Sequence, residues 1–416
     1  MDFAEFYSER YSVAPKIFND NPRSDTGIIV VIPCYDDEFL FSTLQSLDSA
    51  KAPSCSVEVI VVVNSAEDTD SVVVEHNRSI YAALCEKRST YHNFRLLPHI
   101  IEGVAHKIAG VGNARKIGMD EAVWRFASIE RPRGIIVSLD ADCLVSDDYF
   151  LQIYERFNSS DNPNACTLQY KHNFDPELYS EQEINACRRY EMYLRYFRLA
   201  QKVAGIPVCM HTIGSCLAVN AETYAKMGGM SRRQAGEDFY LLQKIAQQSP
   251  VAEVAKPIVF PAPSASERVP FGTGRSVRKI MDTGSCKVYN FELFLLLRKF
   301  YSCFTDLYSG TTSGIPDEIL SFVGKGKMDS IIAECRNNTS DCKNFVRRMI
   351  SKFDVFHIIR FLNSFDDASN YPSLEVETAV ILLLKYYGLS PSESIYDDIF
   401  ALDLSVPNCS KSHKRK

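Results

Sequence analysis

A chain of 416 residues, 46% of them hydrophobic, has the material for one large folded domain and a smaller one. Its net charge of −6 argues against nucleic acid as the main partner. The 13 cysteines are odd in number, contain no C-x-x-C pair, and several (Cys34, Cys166, Cys216) fall in apolar stretches, which points to reduced, buried thiols rather than a disulfide framework or a clustered zinc site.

The segment Met1 to Ser24 is polar and aromatic and lacks the basic-then-apolar layout of a signal peptide. The run Gly27 to Pro33 is continuously apolar and ends on proline, so it predicts a first buried strand. Asp36 or Asp37 is placed to cap a helix with Leu40, Leu44 and Leu47 on one stripe. Val57 to Val63 predicts a second strand, ending at Asn64 and Ser65, and a polar helix follows from Ser71 to Arg88. Phe94 to Leu97 predicts a short third strand, then a glycine-bearing loop and a helix with Met119, Ala122, Val123 and Phe126 at helical spacing.

Gly134 to Leu139 is the next buried strand, and it runs into Asp140 and Asp142. Where a strand gives way to a loop, two such carboxylates can converge on one Mg²⁺ or Mn²⁺ ion shared with substrate phosphates. The plainer alternative is a turn cap and a solvated acid. Ala165 to Tyr170 predicts another strand, and Glu181 to Val203 a long helix whose Tyr190, Tyr193, Tyr196 and Phe197 suit a core. Ser215 to Val219 reads as a strand, Ala221 to Gly229 as a short helix and its end, the stretch from Ala235 to Gln248 as a helix, and Val251 to Phe260 as a last strand or pair. Alternating strands and helices with short connections predict a mostly parallel sheet, and ligands of such sheets sit outside the carboxyl ends of the strands.

Beyond Ser276 the pattern becomes helical, around Phe291, Ile319, Ile331, Phe345 to Phe361 and Val376 to Tyr387. No stretch reaches the ~20 uncharged apolar residues of a membrane span. The nearest, Phe291 to Leu297, contains Glu292 and runs into Arg298 and Lys299. The expectation is a soluble, cytoplasmic protein. The basic end from Lys411 to Lys416 reads as a solvated, disordered tail, with peripheral contact to anionic lipid as the alternative. The expected boundaries are an N-terminal segment 1–26, a main domain 27–275, a helical domain 276–405 and a tail 406–416.

Three further stretches carry chemistry. In His106 to Arg115, Gly110 and Gly112 precede a helix start, where backbone N–H groups and the dipole favour an anion, with Lys107 and Arg115 adding charge. It matches neither a P-loop nor G-x-G-x-x-G. Glu237 and Asp238 sit at a helix start, as caps or as a general base. Ser266 to Arg275 is a glycine-bearing loop flanked by Arg268 and Arg275, which suits closure over a diphosphate or a plain linker.

Taken in order, Pro33-x-Tyr35, Asn64-Ser65, Gly110-x-Gly112-x-Ala114-Arg115, Asp140-x-Asp142, Tyr224 to Gly229 and Gly236-Glu237-Asp238 resemble the family 2 glycosyltransferases, over residues 27 to 262. The resemblance implies the GT-A fold: a Rossmann-like α/β architecture whose mostly parallel sheet is flanked by helices, here with an α-helical C-terminal extension. It implies a nucleotide-sugar donor, a glycan or lipid-linked acceptor, a divalent metal (Mn²⁺ or Mg²⁺) and inversion at the anomeric carbon. On the matching positions, Pro33, Tyr35 and Asn64 border the nucleotide's base and ribose, and Lys107 and Arg115 lie near the same half-site. Asp140 faces ribose or metal, Asp142 ligates the cation, and Asp238, or else Glu237, takes the acceptor proton. Three family features are absent: an acid at the end of the second strand, where Val63-Asn64 stands; a histidine soon after the base, none lying between Asp238 and His357; and the Q-x-x-R-W motif of processive synthases, Trp124 being the only tryptophan. A sugar-phosphate nucleotidylyltransferase and an inactive nucleotide-sugar-binding scaffold are the competing readings. The first is disfavoured because the first strand ends in Pro33-Cys34-Tyr35 rather than a G-x-G-T-R-like loop.

Overall fold

The computed structural model describes residues 3–232, 236–263, 265, 272–312, 314–365, 367 and 369–408. These fall into two compact units, residues 3–187 with 211–282 in one, and 188–210 with 283–408 in the other.

The first unit opens with helix α1 (Phe3–Arg10) and alternates β1 (Thr26–Cys34), α2 (Leu40–Ser49), β2 (Ser56–Ala66), α3 (Ser71–Glu86), β3 (Arg95–Val104), α4 (Val111–Ser128) and β4 (Ile135–Ser138). It continues with β5 (Cys143–Val145), α5 (Tyr149–Phe157), β6 (Ala165–Tyr170), the long α6 (Glu181–Ala204, whose residues from 188 belong to the second unit), β7 (Leu217–Asn220), α7 (Ala221–Lys226), α8 (Glu237–Gln248), β8 (Ala252–Pro261) and α9 (Thr273–Thr283). One eight-stranded sheet has the order β3-β2-β1-β4-β7-β6-β8-β5. The pairs β1–β2, β2–β3, β1–β4 and β6–β8 are parallel, while β4–β7, β6–β7 and β5–β8 are antiparallel. This is the predicted α/β architecture.

Every residue of β1 is buried, as a continuous Val/Ile run covered on both faces requires. Pro33 does not end the strand; it pairs with Val62, and β1 runs on to Cys34. The third strand is longer than its apolar core suggests, because parallel pairing with β2 carries it through Glu102 and Gly103 to Val104. Helix α4 packs against β1 and β2, and Gly118 makes the close approach possible: a Cβ there would stand 2.4 Å from Val31 Cγ1.

Helix α4 also breaks the amphipathic rule, for Lys116, Asp120, Glu121 and Arg125 are all buried. Their partners come from the N-terminal segment and β2. Tyr7 Oη donates to Asp120 Oδ1 at 2.6 Å and accepts from Lys116 Nζ at 2.9 Å. Glu121 accepts from the N–H of Ile17 at 2.7 Å, and Arg125 forms a paired contact with Glu58 at 2.6 and 2.7 Å. The segment before residue 26 is therefore an integral layer of this unit.

The second unit is helical: α10 (Phe291–Ser302), α11 (Phe304–Tyr308), α12 (Asp317–Val323), α13 (Lys325–Asn337), α14 (Cys342–Lys352), α15 (Val355–Leu362), α16 (Val376–Tyr386) and α17 (Ile395–Ser405), with a two-stranded ribbon of β9 (Lys287–Val288) and β10 (Leu374–Glu375). Asp403 of α17 is fully buried between Arg195 and Arg198 of α6, each at 2.6 Å. No helix among the described residues is long and apolar enough to cross a membrane.

Candidate functional site

Because β6 runs antiparallel to β7, which runs antiparallel to β4, the carboxyl ends of β1, β2, β3, β4, β6 and β8 and the amino end of β7 share one rim. The chain order reverses between β1 and β4, so the crevice at this switch point lies between the segments after Cys34 and after Ser138.

There the structure builds a buried ion cluster. Arg115, in the second turn of α4, is 3% exposed and its guanidinium bridges Asp140, in the turn after β4, and Glu237, in the first turn of α8. Burial disfavours the Arg115 cation, but Asp140, Glu237 and Asp238 outweigh it and hold the guanidinium charged. Gly214 makes room for it, since a Cβ there would lie 2.7 Å from Arg115 Nη2. Asp238 is buried and its Oδ1 accepts from the Phe239 N–H at 2.7 Å. Burial first, then the adjacent Glu237 carboxylate, pushes its carboxyl up to about 7, with Arg115 pulling the other way. A carboxyl poised near neutrality is what a general base requires.

The turn carrying Asp140 and Asp142 is held by its backbone. Thr43 Oγ1 of α2 donates to Ala141 O at 2.6 Å, the Cys143 N–H to Asp140 O at 3.3 Å, and the Ala262 N–H to Asp142 O at 3.1 Å. The half-buried Asp142 accepts a contact from Cys143 Sγ at 3.6 Å. Tyr179 lies close by: burial and then the Asp142 carboxylate push its phenol up to about 12. Among the described residues, no group of three or more His, Cys, Asp or Glu side chains is arranged to hold a metal ion. With Asp140 engaged by Arg115, Asp142 is the carboxylate of this turn that could contribute to holding a hard cation, which substrate phosphates and water would have to complete.

Of the other predicted site residues, Pro33, Tyr35 and Asn64 stand at or near the strand ends that form the rim. Pro33 is buried inside β1, and Tyr35 is half-buried just beyond it. Asn64 is buried, and its Nδ2 donates to Cys34 O at 3.1 Å, tying the ends of β1 and β2 together. Lys107 is exposed in the turn before α4. Arg275 is exposed on α9, so the stretch read as a loop is already helical from Thr273. Arg268 lies outside the described residues. Thr43 and Tyr179 escaped the sequence reading. Thr43 and Ala141 are 98 positions apart, and no local pattern marks such a pair.

No family model matches the chain, and no curated protein matches it. Among solved structures, it is similar to residues 1–349 of S. aureus TarS in complex with UDP-GlcNAc, at 11% identity over 91% of this chain and 88% of that one, with a TM-score of 0.38. It is also similar to the mannosyltransferase PcManGT from Pyrobaculum calidifontis in complex with GDP-Man and Mn²⁺, at 14% identity over 97% of this chain and 92% of that one, with a TM-score of 0.36. At these scores the likeness carries no argument about this chain, and the reading rests on its own residues.

Proposed function

We propose that the chain is an inverting, metal-dependent glycosyltransferase of the family 2 type, moving a sugar from a nucleoside-diphosphate sugar to the hydroxyl of a glycan or lipid-linked acceptor in glycan or cell-surface polysaccharide biosynthesis. The observation that carries this reading is the buried Arg115–Asp140–Glu237–Asp238 cluster at the switch point, with the Asp238 carboxyl pushed up to about 7. The reading places the protein in the cytoplasm, where thiols are kept reduced.

In this reading the acceptor oxygen attacks the anomeric carbon as the bond from that carbon to the β-phosphate oxygen breaks. The nucleoside diphosphate leaves with the bonding electron pair, and one displacement inverts the carbon. Asp238 takes the acceptor proton: at about 7 it is basic enough to do so while a large fraction is ionised at neutral pH. Glu237, beside it, is tied up by Arg115. Asp142, with Asp140 beside it, would hold Mn²⁺ or Mg²⁺, and that ion supplies charge neutralisation to the departing diphosphate. Pro33, Tyr35, Asn64 and Lys107 border the nucleotide, while Arg268 and Arg275 serve the diphosphate.

The test is a thermal-shift panel of UDP-, GDP- and dTDP-sugars with and without Mn²⁺, followed by two variants. Asp142→Ala loses metal-dependent donor binding and transfer together. Asp238→Asn keeps donor binding and loses transfer; turnover near the parent rate removes Asp238 as the base. A panel in which no nucleotide sugar shifts the protein ends the reading.

A further inference from the structure

The loop between β1 and α2 carries an arrangement that the ion cluster does not use. Asp36 adopts φ +51°, in the left-handed region that aspartate tolerates more often than most residues. Two contacts from α3 hold Asp36 there and a third holds Glu38. The Asp36 N–H donates to Asn77 Oδ1 at 2.9 Å, His76 Nδ1 lies 2.6 Å from Asp36 Oδ1, and His76 Nε2 lies 3.0 Å from Glu38 Oε1. An ionised carboxylate only accepts hydrogen bonds, so both ring nitrogens must donate, and only the doubly protonated imidazolium does so. The geometry is that of one cation between two anions.

The other charged groups nearby are occupied. On α3 itself Glu75 pairs with Arg78 at 3.6 Å, and Arg78 pairs with Glu102 of β3 at 2.7 Å. In the loop, Asp37 Oδ1 accepts from the Phe39 N–H at 3.0 Å. Asp36 and Glu38 are thus the charges that face the imidazole.

We propose that His76 is a proton-operated latch: as imidazolium it ties Asp36 and Glu38 to α3 and fixes the loop from Tyr35 to Glu38, and on losing a proton it releases one of the two carboxylates. The loop leaves β1 at the switch point, so on the nucleotide-binding reading above the latch sets how well the nucleotide half-site is formed. Hydrogen bonds to Asp36 and then Glu38 raise the pKa of His76 above the ordinary histidine value. A raised folded-state value means that the latch is fully set below the ordinary value and is lost as pH rises through the raised one.

Two measurements on the full chain test this. In NMR titrations from pH 5 to 9, the His76 ring carbon is expected to titrate above a free histidine, with the Tyr35 and Asp36 amides moving at the same midpoint. Asp36→Asn, which keeps the loop's size and removes one anion, is expected to lower that midpoint. A free-histidine midpoint, loop amides that ignore it, or no change in Asp36→Asn overturns the latch. Calorimetric binding of UDP and GDP is the second measurement. Affinity for the nucleotide that binds is expected to fall by up to about tenfold per pH unit above the midpoint, in excess of the pH dependence of His76→Gln. Equal pH dependence in parent and variant overturns the coupling to nucleotide. If neither nucleotide binds while the amides still follow His76, the donor reading fails and the latch stands.

Discussion

Asp238→Asn is expected to make the protein more stable while making it inactive. Burial and Glu237 raise the Asp238 carboxyl from 3.8 to about 7 in the folded state. Between those values the folded chain holds a proton that the unfolded chain has lost, so stability falls as pH rises from about 4 to about 7 and is level above that. At about 1.4 kcal/mol for each tenfold change in proton affinity, the penalty above pH 7 reaches about 4 kcal/mol. An asparagine keeps the carbonyl that accepts the Phe239 N–H and never ionises. Urea unfolding followed by the fluorescence of Trp124 reads the unit concerned, since that lone tryptophan lies on α4, the helix of Arg115. The gain over the parent protein is expected to be small, about 1 kcal/mol, at about pH 4.5 and largest at about pH 8. A variant no more stable than the parent at the upper pH, or a gain that does not grow with pH, refutes the assignment of a raised carboxyl to Asp238.

Two other changes probe the buried charges. Arg115→Met strands Asp140 and Glu237 without their cation and is expected to cost about 3–5 kcal/mol, read by the same urea titration; adding Glu237→Gln is expected to recover part of that loss, because the two residues are in direct contact. Tyr7→Phe removes the hydroxyl shared by Asp120 and Lys116 and is expected to cost about 1–3 kcal/mol, with nucleotide affinity unchanged in calorimetry.

The sheet was legible because its strands are written as short, mainly apolar runs, β-branched throughout in Ile28 to Ile32 and nearly so in Val57 to Val63. Gly27 to Pro33, Val57 to Val63 and Ala165 to Tyr170 each lie where the structure has a strand. Val376–Tyr386 is the helix expected there despite its β-branched residues, with Val376, Ala379, Val380, Leu383 and Leu384 buried on one stripe. The acidic pairs were visible as short motifs at element ends, and the structure puts Asp140, Glu237 and Asp238 around one guanidinium. That Arg115 is their common partner was not legible, because Glu237 lies 122 positions away. Nor was the role of the first 25 residues: Tyr7 is buried beside Tyr224 of α7, where Asp120 of α4 accepts from its hydroxyl. His76 carried no signal either, since of its two partners Asp36 read as a possible helix cap and Glu38 matched no motif.

The buried charges of α4 also constrain the order of events as the chain is made. Residues 7 to 20 leave the ribosome roughly a hundred positions before Lys116, Asp120, Glu121 and Arg125, the groups they cover. Until α4 emerges the early segment has no place to settle, and until that segment returns, α4 carries two acids and two bases that cannot all be dried. The closure is long-range and must precede burial, so this corner belongs among the slow steps of folding. A fusion or deletion at the front of the chain therefore acts on the helix that carries Arg115, more than a hundred residues away.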